Sequence, residues 1–186
     1  MNRNAFVPLT FLMLAMLSPA LAVETNGAPS HEFRWAESAT KQLGSELRAR
    51  LEKEIAKKGL AEAISVCRTE APRITRDVAK KFNVRLGRTS HRLRNPKNAP
   101  PSWVKELQAE KPQTYSLPGE RMAFTFPIRT AGLCVMCHGD AKNLSPDVKA
   151  KLARLYPKDL ATGFQEGDLR GQFWVELTPK SLPPER

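Results

Sequence analysis

Apolar positions in the first half of the chain recur at helical intervals. Aliphatic side chains follow one another every four residues from Leu43 to Ile55, with charged residues among the positions between them. This spacing places the aliphatic side chains on one face of a helix, and Gly59 is typical of a helix stop. The pattern therefore predicts a long amphipathic helix from Glu32 to the residue before Gly59.

Two shorter helices are predicted to follow. Leu60, Ile64 and Cys67 are spaced as i, i+4 and i+7, which puts the Cys67 thiol on the apolar face of the first of them. Pro72 suits the first turn of the second helix, which runs to Phe82. The Cys67 side chain is therefore expected to turn toward the interior.

The second half of the chain changes to strand patterns. Residues 121–128 alternate between apolar and polar positions, and residues 171–177 form another strand. Pro127 lacks an amide hydrogen, so it places the first of these strands at a sheet edge or ends its hydrogen-bond ladder. A brief strand is also expected at residues 85–86.

Loops and short helices connect these elements. Glycine and proline residues between positions 87 and 101 deny regular hydrogen bonding, so an irregular loop is expected there. Short helices are predicted at residues 102–110 and 146–156, and a turn at Pro118-Gly119. Helices in the first half and strands in the second indicate an α+β fold in one domain.

The N-terminus has the pattern of an export signal. Arg3 precedes a short apolar run, and small residues follow up to Ala22. This order predicts a signal peptide at residues 1–22, because the apolar run is shorter than the ~20 residues that span a bilayer. In a bacterium the mature protein is expected in the periplasm. It is predicted to comprise a flexible leader at residues 23–31, a folded domain at 32–178 and a Pro-rich tail at 179–186.

The chain is strongly basic, with a formal net charge of +11. Such a balance fits nucleic acid, an acidic protein or an anionic membrane surface as a partner. Export leaves little access to nucleic acid, so an acidic redox partner or a membrane surface is favoured. A solvated basic face with no partner is the alternative.

The segment Cys134-Val135-Met136-Cys137-His138 matches the attachment signature of a c-type haem. Two thiols three positions apart can add to the two vinyl groups of one porphyrin, and the adjacent histidine can then bind the iron. A dithiol redox pair or a zinc site would use similar residues. Zinc needs about four ligands, and no βαβ pattern surrounds this dithiol, so one covalent haem is the favoured interpretation.

Thioether formation would leave Cys67 as an unpaired thiol in an oxidising compartment. A thiolate bound to iron is one explanation, and a buried inert thiol is the other. His91 and Met122 are alternative sixth ligands, as is an open coordination site. Ligand softness and the leftover thiol together favour Cys67.

Arginines that could contact the haem propionates are numerous. Loops rich in arginine often hold anionic groups through forked, charge-assisted hydrogen bonds. The candidates are Arg88, Arg94 and Arg129, with Arg92 as a further choice. The apolar face of residues 122–128 leads directly into the motif and is expected to receive the porphyrin.

Several segments together resemble a family of bacterial c-type haem proteins long catalogued as a domain of unknown function. Members occur as exported single domains and as sensor regions of signalling proteins. The matching stretches cover most of the mature chain and keep their order: 63–67 with Ala71-Pro72, 87–90, 93–100, 134–139, Tyr156-Pro157 and 167–171.

The resemblance implies a PAS-like α+β fold, with an antiparallel sheet and N-terminal helices around one covalent haem. It also implies that His138 and Cys67 are the two axial ligands of the iron. Such ligation gives a low-spin iron, and thiolate donation lowers its potential.

Three functions follow as expectations. The first is a redox- or gas-responsive haem module that signals to a separate redox or signalling protein. The second is a low-potential electron-transfer cytochrome c. The third, a peroxidase-type enzyme, is least favoured, because two protein ligands leave the iron no vacant position and no acid–base pair is evident.

Overall fold

The structure, a computed structural model, describes residues 29–178 and 180–183. The predicted signal peptide, its cleavage after Ala22 and most of the leader lie outside the described residues, as do parts of the tail. The described elements are α1 (His31–Lys58), α2 (Leu60–Thr69), α3 (Ala71–Phe82), β1 (Arg85–Thr89), a 3-10 turn (Pro96–Asn98), β2 (Gln113–Leu117), β3 (Arg121–Arg129), α4 (Gly132–His138), α5 (Pro146–Leu155) and β4 (Leu169–Leu177).

The three N-terminal helices confirm the helical periodicity. The Ser30 side chain caps α1 by accepting a hydrogen bond of 3.2 Å from the amide of Phe33, so this helix starts one residue before the predicted Glu32. Gly59 ends α1 with φ of 83°, a conformation that favours glycine. Helix α2 extends past Cys67 to Thr69.

The four strands form one antiparallel sheet in the order β1-β4-β3-β2. Strand β3 is therefore interior, and the prediction that Pro127 places it at an edge is wrong. The alternative prediction is confirmed, because β2 pairs with β3 only as far as Thr125. Pro127 lies beyond that ladder and pairs only with Gln172 of β4. Proline has no amide hydrogen to donate, so it is tolerated where a strand has no hydrogen-bonded neighbour on one side.

The predicted helix at residues 102–110 is wrong, since the structure has only turns there. The Trp103 indole donates a 2.6 Å hydrogen bond to the buried carboxylate of Glu176, and Val104 and Ala109 are buried. These contacts attach the segment to the sheet at separate points. Prolines bound it closely on both sides, and a helix this short has too few internal hydrogen bonds to form on its own.

One face of the sheet packs against α1 and α3. The core there consists of aliphatic and aromatic side chains from all of these elements: Leu43, Ile74, Val78, Phe82, Leu86, Phe124, Phe126, Val175 and Leu177. A second cluster lies between α2 and α5 and includes Ile64, Val148 and Leu152, with Cys137 packed against it. This second cluster holds α4 beside α2. Within residues 29–178 and 180–183, no helix combines the length and the apolar character needed to cross a membrane.

Candidate functional site

A cavity of about 370 Å³ brings the predicted haem residues together. Its wall includes Cys134, Cys137 and His138 from α4 and Cys67 from α2. Aliphatic side chains of α1 and α2 supply much of the remaining wall: Leu47, Leu51, Ile55, Leu60 and Ile64. The volume lies within the ~300–1,000 Å³ range of small-molecule and cofactor sites, and apolar walls with few polar groups are typical of them.

Helix α4 presents both cysteines of the motif to this cavity. Cys134 and Cys137 are three residues apart, so their side chains share one face of the short helix. Both are half-buried, whereas Met136 between them is exposed. Gly139 ends the helix, where a Cβ atom would come within 2.6 Å of the Val135 carbonyl oxygen. The chain can therefore turn away directly after His138.

The His138 ring is held by the backbone beyond α5. Its Nδ1 atom lies 2.7 Å from the carbonyl oxygen of Ala161. A carbonyl only accepts, so Nδ1 carries the hydrogen and Nε2 of the neutral ring keeps its lone pair. Burial holds the pKa of His138 well below its usual value, which favours the neutral ring. This is the arrangement that orients a metal-binding histidine.

Arg94 braces the same region from the loop after β1. Its guanidinium donates to the carbonyl oxygen of Cys137 at 2.6 Å, to the carbonyl oxygen of Ala161 at 3.1 Å and to the Asp159 carboxylate at 3.0 Å. The Arg94 Nη1 atom also lies 3.5 Å from His138 Nε2. Arg94 is 8% exposed. These contacts use most of its donors on the protein itself, so Arg94 is a brace for α4. Its contact to a propionate stays a prediction.

Of the three candidate sixth ligands, only Cys67 lines this cavity. The His91 ring instead packs against Phe164, with 5.9 Å between ring centroids. The Met122 side chain packs against the core between the sheet and α1. Burial raises the pKa of the Cys137 thiol to about 11, and the Cys67 thiol makes a smaller contribution in the same direction.

Arg88 and Arg129 line the cavity in different ways. Within the described part of the chain, the Arg88 guanidinium has no hydrogen bond or ion pair, and burial lowers its pKa. The partly exposed Arg129 pairs with the Glu110 carboxylate. Among the predicted arginines that line the cavity, Arg88 is therefore the one whose donors remain available to an anion.

Comparison with known proteins identifies the family. The family described as Tll0287-like matches residues 23–178. The chain belongs to the Tll0287-like family. This membership agrees with the resemblance to a haem-protein family of formerly unknown function. No curated protein matches the chain.

A solved structure of similar fold supports the assignment of the architecture. It is the crystal structure of the cyanobacterial heme-protein Tll0287, with a TM-score of 0.58 and 18% sequence identity. The alignment covers 82% of this chain and 98% of that chain. At this identity the likeness establishes a shared α+β fold.

The expectation that the apolar face of β3 receives the porphyrin is wrong for this Tll0287-like chain. Phe124 and Phe126 of that face are buried in the core that packs against α1. Only Ile128 of that face lines the cavity. The alternation correctly predicts a buried face, yet it cannot tell which neighbour covers that face.

The structure also adds two arginines that the sequence analysis missed. Arg170 lines the cavity, donates to the Ser90 hydroxyl at 2.9 Å, and has a pKa lowered to about 10 by burial. Arg48 lines it from α1. The sequence does indicate the position of Arg48, because Gly44, Arg48 and Leu51 are spaced as i, i+4 and i+7 and therefore share one face of α1. All three line the cavity.

Proposed function

We propose that this chain is an exported haem-binding protein. Cys134 and Cys137 would attach one haem c through thioether bonds, and His138 and Cys67 would bind the iron. The observation that carries the proposal is the convergence of these four side chains on one cavity, with His138 Nδ1 donating to Ala161 and Nε2 left to bind a metal. The family membership and the fold shared with a cyanobacterial heme-protein support it.

The residues present fit such a group. The two half-buried thiols of α4 share a cavity whose walls are largely aliphatic, as the apolar face of a macrocycle requires. Arg88 offers donors to a propionate in the same wall, and Arg129 lies at a more exposed position. A zinc site fits less well, because within the described ranges no three side chains of His, Cys, Asp or Glu form a metal-binding group.

We propose a redox- or gas-responsive role for the haem. When bound, haem supplies a redox-active iron whose potential depends on its axial ligands and burial. Cys67 lies in the last turn of α2, and a single residue, Glu70, separates α2 from α3. Release or rebinding of the Cys67 side chain would therefore act directly on the junction of two helices, which could pass a signal to a partner protein.

Electron transfer is the second candidate function. Met136 is 47% exposed and lies between the two attachment cysteines, so apolar surface is available beside the site. The basic net charge, which loses only Arg3 with the predicted signal peptide, would attract an acidic redox partner. A catalytic role is less favoured, because His138 and Cys67 as two protein ligands would leave the iron no vacant position for a substrate.

Export to the periplasm is part of the proposal. Its support is the predicted signal peptide at residues 1–22, which would deliver the chain to the compartment where haem is attached to such motifs. The basic surface would then meet an acidic protein or an anionic membrane surface. Nucleic acid is not a proposed partner.

Pyridine haemochrome spectra of protein expressed with its own N-terminus test the proposal. We expect a spectrum typical of two thioether bonds, and a haem that acidified organic solvent does not extract. His138→Ala should impair haem ligation or maturation, and a variant with unaltered haem content and spectrum would contradict the assignment. Carbon monoxide added to the reduced protein separates the roles: an adduct supports a gas-responsive module, and its absence favours electron transfer.

A further inference from the structure

A second and larger cavity, of about 860 Å³, shares six lining residues with the first: Cys67, Arg88, Arg94, Asn95, Asn98 and Tyr156. The end of α2, the start of α3, β1, the loop around the 3-10 turn and the segment after α5 form its wall. Among the residues that the structure describes, this wall contains no Asp or Glu. Its cationic residues are Arg68, Arg76, Arg88, Arg94, Lys97 and Lys158.

Most of these cations have no counter-charge in the described part of the chain. Arg94 pairs with Asp159, and Arg68 donates to the carbonyl oxygen of Leu155. Arg76, Arg88, Lys97 and Lys158 make no ion pair with any described residue. Several arginines elsewhere in the described chain do form ion pairs, as Arg50 does with Glu54 and Glu70. A concave site lined by unpaired cations focuses a positive potential that attracts anions.

The remaining wall indicates what kind of anion fits. Leu86, Pro72 and Trp174 give the cavity apolar surface, and Asn98 adds an amide. Guanidinium groups match carboxylates through paired hydrogen bonds, while apolar surface favours a ligand with a carbon skeleton. We propose that this cavity binds a small organic acid with two or more carboxylates.

Carboxylates could reach this cavity from two sources, namely a free organic acid or the propionates of a bound haem. Arg88 lines both cavities and could bind carboxylates from either source. Arg76, Lys97 and Lys158 line only the second cavity, so the cavity that contains the motif makes no use of them. We therefore assign the cavity to a free organic acid. This assignment goes beyond the proposed haem function, because such a ligand could bind whether or not haem is attached.

Isothermal titration of the mature protein, as purified, with citrate tests this inference. We expect saturable binding to one site. Arg76→Gln on α3 and Lys158→Gln on a separate loop should each weaken it by about tenfold or more, because each removes a charge-assisted contact. Arg73→Gln is the matched control, since it removes the same charge from the same helix at an exposed residue paired with Asp77. Circular dichroism establishes that each variant folds.

Three results would overturn the inference. The first is a lack of saturable citrate binding, including the case in which haem propionates occupy the cavity. The second is an equal loss of affinity in Arg73→Gln, which would mean attraction by net charge alone. The third is unchanged affinity in folded Arg76→Gln and Lys158→Gln. Haem content is measured on the same samples, so citrate binding by protein without covalent haem would support this inference while contradicting the proposed function.

Discussion

The Nδ1 atom of His138 lies 2.7 Å from the carbonyl oxygen of Ala161. The segment that contains Ala161 holds α4 at another point, because the amide of Phe164 donates to the carbonyl oxygen of His138 at 2.9 Å. The ring orientation of His138 is thus set by backbone far along the chain. Arg94 joins both sides of this contact, since it donates to the carbonyl oxygens of Cys137 and Ala161.

Replacing Arg94 should therefore destabilise the protein strongly. Arg94→Gln leaves the nearly buried Asp159 carboxylate without its cation, and breaking a buried pair in this way costs about 3–5 kcal/mol. Urea unfolding without haem measures the loss. Arg73→Gln breaks an exposed pair and should cost less than about 1 kcal/mol. Equal losses in the two variants would contradict the role of Arg94 as a brace.

Replacing Cys67 should change the iron without removing the haem. In Cys67→Ala the two thioether sites and His138 remain, so we expect covalent haem but no low-spin thiolate signal in ferric electron paramagnetic resonance. Ser65→Ala is a control on the same helix, since Ser65 lines neither cavity. A Cys67→Ala spectrum identical to that of the unmodified protein would eliminate Cys67 as a ligand.

The sequence predicts those parts of the molecule that depend on local periodicity. Helix α1 has a regular aliphatic stripe, a cap at Ser30 and a stop at Gly59, so its limits are predicted within one residue. The segment around Trp103 is different, because its conformation depends on a hydrogen bond to Glu176, 73 residues away in the chain. Local propensity contains no information about such a contact.

The same distinction applies to the site. Cys134, Cys137 and His138 are adjacent in sequence and recognisable by spacing, and Cys67 follows from counting thiols. The role of Arg94 depends on Asp159 and on two carbonyl oxygens from separate segments. Its side-chain type indicates an anion partner, but only the fold shows which acceptors it binds.

Replacing Gly87 should destabilise the sheet. A Cβ atom at this position would lie 2.4 Å from the Trp174 ring on the neighbouring strand β4, so the indole would have to move. We expect Gly87→Ala to cost about 1–3 kcal/mol in chemical denaturation, the range for overpacking. Gly44→Ala is the matched control: its Cβ would be 3.5 Å from Phe173, and alanine favours the α1 helix. A stable Gly87→Ala protein would mean that Trp174 has room to move.

The stability of the helical half should fall in acid through Glu54. Hydrogen bonds from Lys58 and Arg50 lower the pKa of Glu54 to about 2 from an ordinary 4.5. A lowered pKa in the folded state means that the ionised carboxylate stabilises the protein fully above pH 4.5, and that this contribution is lost as the pH falls toward 2. Glu54→Gln should therefore be less stable than the unmodified protein at neutral pH and should lose less further stability below pH 4.5. Thermal unfolding at a series of pH values from neutral to acidic measures how the stability of each protein changes with pH. Glu52→Gln is the control, because it removes an exposed carboxylate from the same helix and should leave the pH dependence of stability nearly unchanged. An equally weakened pH dependence in both variants would assign the acid sensitivity to net charge rather than to Glu54.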